Sequence, residues 1–159
     1  SLDGVSVAIQ GMGHVGEIQP PPTISMGVKL YVADIYPEGV EKAVAEFGAT
    51  AVAPEEILSL DVDVLAPCAL GAAINDQTLP AIKAKVIAGA ANNQLAREDI
   101  GELLQQRGIL YAPDYVINAG GVIDIFHQRM ESSSNEALRA HIEKIGETLK
   151  EIYAIKESE

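Results

Sequence analysis

The chain has a single cysteine, Cys68, and three histidines in 159 residues. One cysteine forms no internal disulfide, and His14, His127 and His141 are scattered without metal-ligand spacing, so a disulfide scaffold is excluded and no metal is expected. Basic residues are also scarce. Eleven lysines and arginines against 23 aspartates and glutamates leave a net charge of -12. Nucleic acid and anionic membrane surfaces are repelled by such a chain unless basic side chains cluster, and none do. The longest apolar runs are strand-sized, and no charged-then-apolar leader follows Ser1. A membrane partner and secretion are therefore not expected, and a cytoplasmic location is.

Hydrophobic residues make up 48% of the chain, enough to bury the core of one compact domain. Short β-rich runs alternate with helical patterns, as in parallel βαβ units. The runs VSVAI (5–9), KLYVA (29–33), TAVA (50–53), VDVLA (62–66), KVIAG (85–89) and ILYAP (109–113) read as strands. Val40, Ala43, Val44 and Phe47 recur at helical spacing before Gly48, and Ile100, Leu103 and Leu104 before Gly108. The fold class expected is a doubly wound α/β domain with a mainly parallel sheet over residues 1–132. From residue 133 to 159, Leu138, Ile142, Ile145, Leu149 and Ile152 mark one long amphipathic helix, with Ser133 and Glu136 as a capping box. ESSSN before it reads as a hinge, so the helix either closes the core or docks on something other than the sheet.

In an open parallel sheet, ligands lie beyond the carboxyl ends of the strands. After the first strand stands GMGHVGEIQPPPTIS (11–25), which contradicts itself. Gly11, Gly13 and Gly16, with His14 and Val15 between, have the spacing that turns a strand into a helix whose first amides face a pyrophosphate. Pro20, Pro21 and Pro22 then occupy the helix itself, removing amide donors at about 3 kcal/mol or more each. Ten residues of helix cover about 15 Å and ten of polyproline about 31 Å, so an extended segment still reaches the second strand. Connectivity survives, but the sheet face loses its cover and the pyrophosphate most of its helix. Weakened binding and self-association through the uncovered face are the expected results.

After the second strand comes Asp34, followed by Ile35, at 23 positions beyond Gly11, near the spacing at which an acid accepts the adenosine ribose hydroxyls. A carboxylate there repels a 2′-phosphate, and no arginine follows, which favours NAD over NADP. Each feature has a plainer reading: the glycines as a turn, Asp34 as a helix cap. Beyond the later strands, Ala69, Gly71, Ala90 and Ala91 allow close backbone approach, and Asn92 and Asn93 offer neutral hydrogen bonds. Turn and cap roles would use the same residues. Cys68 has no base nearby and reads as a small filler, not a nucleophile.

VAIQGMGHVG, APCALGAAINDQT, KAKVIAGAANNQL and YAPDYVINAGGVID together closely resemble the cofactor domain of the glutamate, leucine, phenylalanine and valine dehydrogenases, most strongly the leucine and phenylalanine branch. The resemblance runs from about residue 2 to 125, apart from the proline segment. It implies NAD-dependent oxidative deamination of a branched-chain or aromatic L-amino acid to a 2-oxo acid and ammonia. It also implies roles by position. Gly11, Gly13 and Gly16 would meet the pyrophosphate, Asp34 the ribose, and Cys68, Ala69 and Leu70 would run along the cofactor. Asn93, with Asn92, would stand between nicotinamide and substrate, and Asn118, Gly120 and Gly121 would belong to the loop beside the nicotinamide. Val122 and Ile125 would line the substrate pocket. The family's catalytic lysines and aspartate lie in a separate N-terminal substrate domain. No catalytic residue is assigned here, and this chain alone is expected to bind but not turn over. A non-catalytic nucleotide-binding or assembly module is the competing class.

Overall fold

A computed structural model of the chain describes residues 2–13, 27–130 and 134–157. His14, Val15, Gly16 and the proline segment, hence the first crossover, lie outside the described residues, as does Ser133.

Six strands, β1 (Ser6–Gln10), β2 (Lys29–Ala33), β3 (Thr50–Ala51), β4 (Val64–Pro67), β5 (Val86–Ile87) and β6 (Leu110–Tyr111), form one sheet in the order β3-β2-β1-β4-β5-β6. Every pairing is parallel. The order reverses at β1 and β4, leaving a crevice beyond their carboxyl ends. Successive side chains alternate faces. Ala8, Leu65 and Ile87 join one buried cluster with Ile57, Ile74, Ile100 and Leu104, while Ile9, Leu30, Val32 and Ala66 join another with Ala43 and Ala49. Both faces being buried is why the strands read as continuous apolar runs.

The helix α1 (Pro37–Phe47) covers the second cluster through Ala43. Proline suits its first turn, and Gly48, at φ 65°, stops it with its N–H on Val44 O at 3.1 Å. The helix α2 (Ile100–Gln106) buries Ile100 and Leu104 against the first cluster. The crossovers into β4 and β5 carry only single 3₁₀ turns, Ile57–Ser59 and Leu79–Ala81, the second with Pro80 in it. A 3₁₀ turn is enough there because Ile57 and Leu79 each bury one side chain in the same cluster.

The outer strands are shorter than their sequence runs, two residues each in β3, β5 and β6. After Ile87 the chain still bonds β4, through Ala88 N–H to Leu65 O and Ala91 N–H to Pro67 O, both 2.9 Å. It cannot stay flat, because Gly89 lies against the Pro67 backbone so closely that any Cβ would overlap it.

The amino ends of the central strands are pinned. Ser6 donates from N (2.9 Å) and Oγ (2.8 Å) to Asp63 Oδ2, and Lys85 Nζ stands 2.7 Å from Asp63 Oδ1. The lysine and the two donors on Ser6 hold the Asp63 carboxyl well below the usual carboxylate range. Rigidity at one end of the sheet leaves the other for ligands.

Beyond β6, two short helices, α3 (Asp114–Ile117) and α4 (Gly120–Gln128), precede the long α5 (Asn135–Glu157). Ser134 caps α5, its Oγ accepting the Ala137 N–H at 3.1 Å. The cap is therefore one residue later than the sequence pattern placed it, and the third helical position holds alanine instead of Glu136. Neither buried cluster contains a residue of α5. The helix lies on α3 and α4, and Tyr153 Oη donates to Tyr111 O at 3.0 Å. Leu138, Ile145, Leu149 and Ile152 are half-buried, and Ile142 is 39% exposed. The helix therefore packs mainly on its neighbouring helices and meets the edge strand β6 through Tyr153. Among the described residues, no helix is long and apolar enough to cross a membrane.

Candidate functional site

Gly11 ends β1 at φ 96°, and its N–H donates to Ala33 O at 2.8 Å. A Cβ here would stand 2.7 Å from Ala69 N and 2.9 Å from Ala69 Cα, so only glycine allows the loop after β4 to cross this turn. Asp34, at the end of β2, fastens the same turn. Its Oδ2 accepts the Met12 N–H at 2.5 Å and its Oδ1 the Tyr36 N–H at 2.9 Å. Asp34 thus ties the turn after β1 to the approach to α1 without capping that helix, whose N-cap Tyr36 has no side-chain cap hydrogen bond. A carboxylate offers about four acceptor directions, so two remain for a ligand's hydroxyls.

Between these elements lies a cleft of about 270 Å³, lined among others by Gln10, Gly11, Asp34, Ile35, Ala69 and Leu70. Ile35 and Leu70 are 76% and 86% exposed, two apolar lips facing solvent. Gln10 lines the cleft, and its Oε1 is buried without a hydrogen-bond partner among the described residues. A second cleft of about 380 Å³ adjoins it on the far side of Asp34, with Met12, Gly13, Tyr36, Glu38 and Lys42. Among the described residues nothing stands within 4 Å of where a Cβ on Gly13 would sit, so on that side the backbone is open to a ligand.

The loops after β4 and β5 run side by side. Ala72 N–H donates to Asn93 O (2.7 Å), Ile74 N–H to Gln94 O (3.0 Å) and Ala96 N–H to Ile74 O (2.9 Å). Ala72 and Asn93 are both left-handed, at φ 58° and 52°. Asn92 and Asn93 are exposed and Ala90 half-buried. Asn93 lines a different cleft from Gly11 and Asp34, one of about 550 Å³ shared with Arg97, Tyr111, Asp114 and Tyr115. The 68–73 loop stands between the two. Asn118 is turned inward, donating from Nδ2 to Ala90 O (2.8 Å), Ala91 O (3.1 Å) and Asn92 Oδ1 (3.2 Å).

Cys68 is half-buried, its N–H on Gln10 O at 2.7 Å. Burial pushes its thiol up, against a hydrogen bond with the Ala90 backbone that lowers it, so the group is a neutral filler. Gly120 opens α4 and is half-buried, while Gly121 is exposed. Val122 and Ile125 are 72% and 54% exposed, and it is Ile123 that packs inward. The pair forms an apolar face open to solvent, not a closed pocket.

Three features escape sequence reasoning. Gln94 is fully buried at the end of AGAANNQ, where a glutamine after two asparagines looks like more of the same polar loop. Asp114 accepts the Gln94 N–H at 3.1 Å and the Tyr115 N–H at 2.8 Å, a link across 20 positions that no local pattern announces. His127 and His141, scattered in sequence, meet between α4 and α5 with Nε2 and Nδ1 3.1 Å apart.

The sequence model of the Glutamate/Leucine/Phenylalanine/Valine dehydrogenase family matches residues 31–157. A leucine dehydrogenase of Bacillus cereus is 46% identical over 155 residues, covering 98% of this chain and 42% of that protein. An L-tryptophan dehydrogenase of Nostoc punctiforme is likewise 46% identical over 155 residues, covering 97% and 44%. The crystal structure of L-tryptophan dehydrogenase from Nostoc punctiforme superposes with a TM-score of 0.89 at 46% identity, over 93% of this chain and 44% of that one. The chain thus spans less than half the length of these relatives.

Proposed function

The chain belongs to the glutamate/leucine/phenylalanine/valine dehydrogenase family, and on that basis we propose that residues 1–132 are its NAD-binding domain, with residues 133–159 an appended C-terminal helix. The reaction served is the oxidative deamination of a branched-chain or aromatic L-amino acid. NAD, when bound, supplies the hydride acceptor.

One observation carries the reading: the Asp34 carboxylate, tied to Met12 and Tyr36 amides, stands at the mouth of the cleft where the strand order reverses. The cleft fits the adenosine half. Its volume of about 270 Å³ falls just under the ~300–1,000 Å³ of pockets that enclose whole ligands, so it suits part of a dinucleotide. Ile35 and Leu70 offer apolar surface to a flat ring, Asp34 accepts ribose hydroxyls, and Gln10 Oε1 is an acceptor without a donor. Gly13, His14, Val15 and Gly16 take the pyrophosphate. Cys68, Ala69 and Leu70 run along the cofactor, and Ala90, Asn92 and Asn93, braced by Asn118, edge the nicotinamide. Gly120, Val122 and Ile125 face the amino acid.

The cleft of Gln10, Asp34 and Leu70 binds and orients the adenosine half, with Lys42 in the adjoining cleft. Proton transfers fall to a substrate domain. The prolines after Gly16 weaken the phosphate site by one or two charge-assisted bonds of about 1.5–3 kcal/mol each, which places affinity at roughly high micromolar to millimolar. Self-association, expected from the three prolines in the sequence of the first crossover, completes the proposal.

A fluorescence titration tests it. NADH quenching or enhancement should saturate at lower concentration than NADPH, because a 2′-phosphate would meet the Asp34 carboxylate. Equal or tighter NADPH binding refutes the assignment of Asp34.

A further inference from the structure

Between Ile87 and Leu95 the backbone leaves the sheet, and its carbonyls turn to side chains for partners. Gln94 Nε2 donates to Gly89 O at 2.5 Å and Ala91 O at 3.0 Å, using both of its hydrogens inside the loop. Gln94 is fully buried, and its Oε1 has no partner. An apolar side chain would fill this space without an orphaned acceptor. What an apolar side chain cannot do is satisfy two inward carbonyls at once. The loop is fixed at its start by Gly89 against the Pro67 backbone and at its end by the Gln94 N–H on Asp114 Oδ2. Asn93 lies between these anchors, left-handed, its carbonyl holding the equally left-handed Ala72. Two non-glycine residues in that conformation persist only where their surroundings over-determine them.

We propose that Gln94, seconded by Asp114, is a positioning residue: it holds the 89–93 loop closed so that Asn93 is presented to the nicotinamide end of the cofactor. The inference rests on the NAD reading above and adds to it a residue that touches no ligand. Without the two donors, Gly89 O is left unpaired away from solvent and Ala91 O keeps only the Asn118 Nδ2 donor. The loop then opens to hydrate Gly89 O, and Asn93 swings with it. The adenosine cleft, built on Gly11 and Asp34, stays as it was.

The test is Gln94→Met in the full chain, which keeps length and apolar volume and removes both donors. NADH affinity should fall about tenfold, the effect of one lost hydrogen bond. ADP-ribose, which lacks the nicotinamide, should bind within about twofold of the parent. Equal losses for both ligands mean a merely structural role and overturn the proposal, as does no loss at all. If Gln94→Met does not fold, Asp114→Ala, at a half-buried position, takes its place with the same expected selectivity. Hydrogen exchange separates this idea from the NAD reading. If the parent chain binds neither ligand, the NAD reading fails, yet the Ala72 amide in the variant should still exchange faster than in the parent. The Cys68 amide, bonded to Gln10 O, should remain protected. Unchanged Ala72 protection overturns the positioning role on its own.

Discussion

Gly11 and Gly13 lie two residues apart in one motif, yet replacing each with alanine should do opposite things. At Gly11 the backbone is at φ 96°, and an added Cβ would stand 2.7 Å from Ala69 N and 2.9 Å from Ala69 Cα and Cβ. The conformation alone costs about 1–3 kcal/mol for a side-chain-bearing residue, and forced overlap in packed surroundings about 1–3 more. Ala69 is backbone, so nothing flexible can step aside. A loss near about 3 kcal/mol is expected for Gly11→Ala, which in a chain of this size lowers the melting temperature by roughly 6–12 °C. At Gly13 the φ is not left-handed and no described residue lies within 4 Å of the added atom. Gly13→Ala should therefore melt within about 0.5 kcal/mol of the parent. It should still bind NADH at least about tenfold more weakly, because the methyl group holds a phosphate away from the exposed amides. Thermal melts followed by circular dichroism, paired with NADH titration, read both quantities. Equal destabilisation by the two substitutions would refute the geometry of the turn, and unimpaired NADH binding by Gly13→Ala would refute the phosphate role.

Asp63→Asn should destabilise the chain at neutral pH, with a difference that narrows as the pH falls into the acid range. The native carboxyl is held below its ordinary range by Lys85 and Ser6, so its contribution is complete above the unfolded-state pKa of about 4 and is lost as pH falls towards the folded value. Denaturant melts at pH 7 and pH 2.5 check this, and a pH-independent difference would contradict it. The Cys68 thiol, pushed up by burial, should react with a maleimide at pH 7.5 more slowly than a free thiol of ordinary pKa near 8.5, and more slowly still with NADH bound. Reaction at the free-thiol rate would place Cys68 elsewhere. Ser134→Ala should cost about 1 kcal/mol, confined to fraying of α5 as read by hydrogen exchange at its first turn. Protection unchanged in that turn would mean the cap carries nothing.

Sequence periodicity located all six strands and the helices over Val40–Phe47, Ile100–Leu104 and the C-terminal stretch, because in a two-faced parallel sheet burial itself writes the pattern. It overran the outer strands. KVIAG reads as five equal β residues, but the overlap a Cβ on Gly89 would have with Pro67 is a tertiary fact. The same limit applies to the site. Gly11, Asp34, Ile35, Ala69 and Leu70 were legible as strand-end residues, and one cleft joins them. Gln94 was not, since its burial comes from carbonyls that fold back on it, and nothing in a run of small and amide residues distinguishes the one that turns inward. Asn118 was legible as a loop residue, but its hydrogen bonds to Ala90, Ala91 and Asn92 join segments 26 to 28 positions apart.

The two halves of the proposed cofactor site are held by different physics. Around Gly11 and Asp34 the support is the sheet itself: β1 is paired over five residues with β2 and over four with β4, and its neighbours are pinned at the opposite end through Asp63. Such backbone ladders open only with global unfolding. Around Asn93 the supporting strands are two residues long, and the work passes to the amides of Gln94 and Asn118 and the carboxylate of Asp114. A few side-chain bonds hold a loop more loosely than a ladder holds a strand, and each can be lost alone. The nicotinamide half is thus free to adjust on a scale the adenosine half is not. In a hydride-transfer enzyme, the reacting end must meet a second substrate while the adenosine end need only stay bound. A fold that anchors one end on strands and the other on side chains separates binding from alignment, and single substitutions at Gln94 or Asp114 can change the second while leaving the first intact.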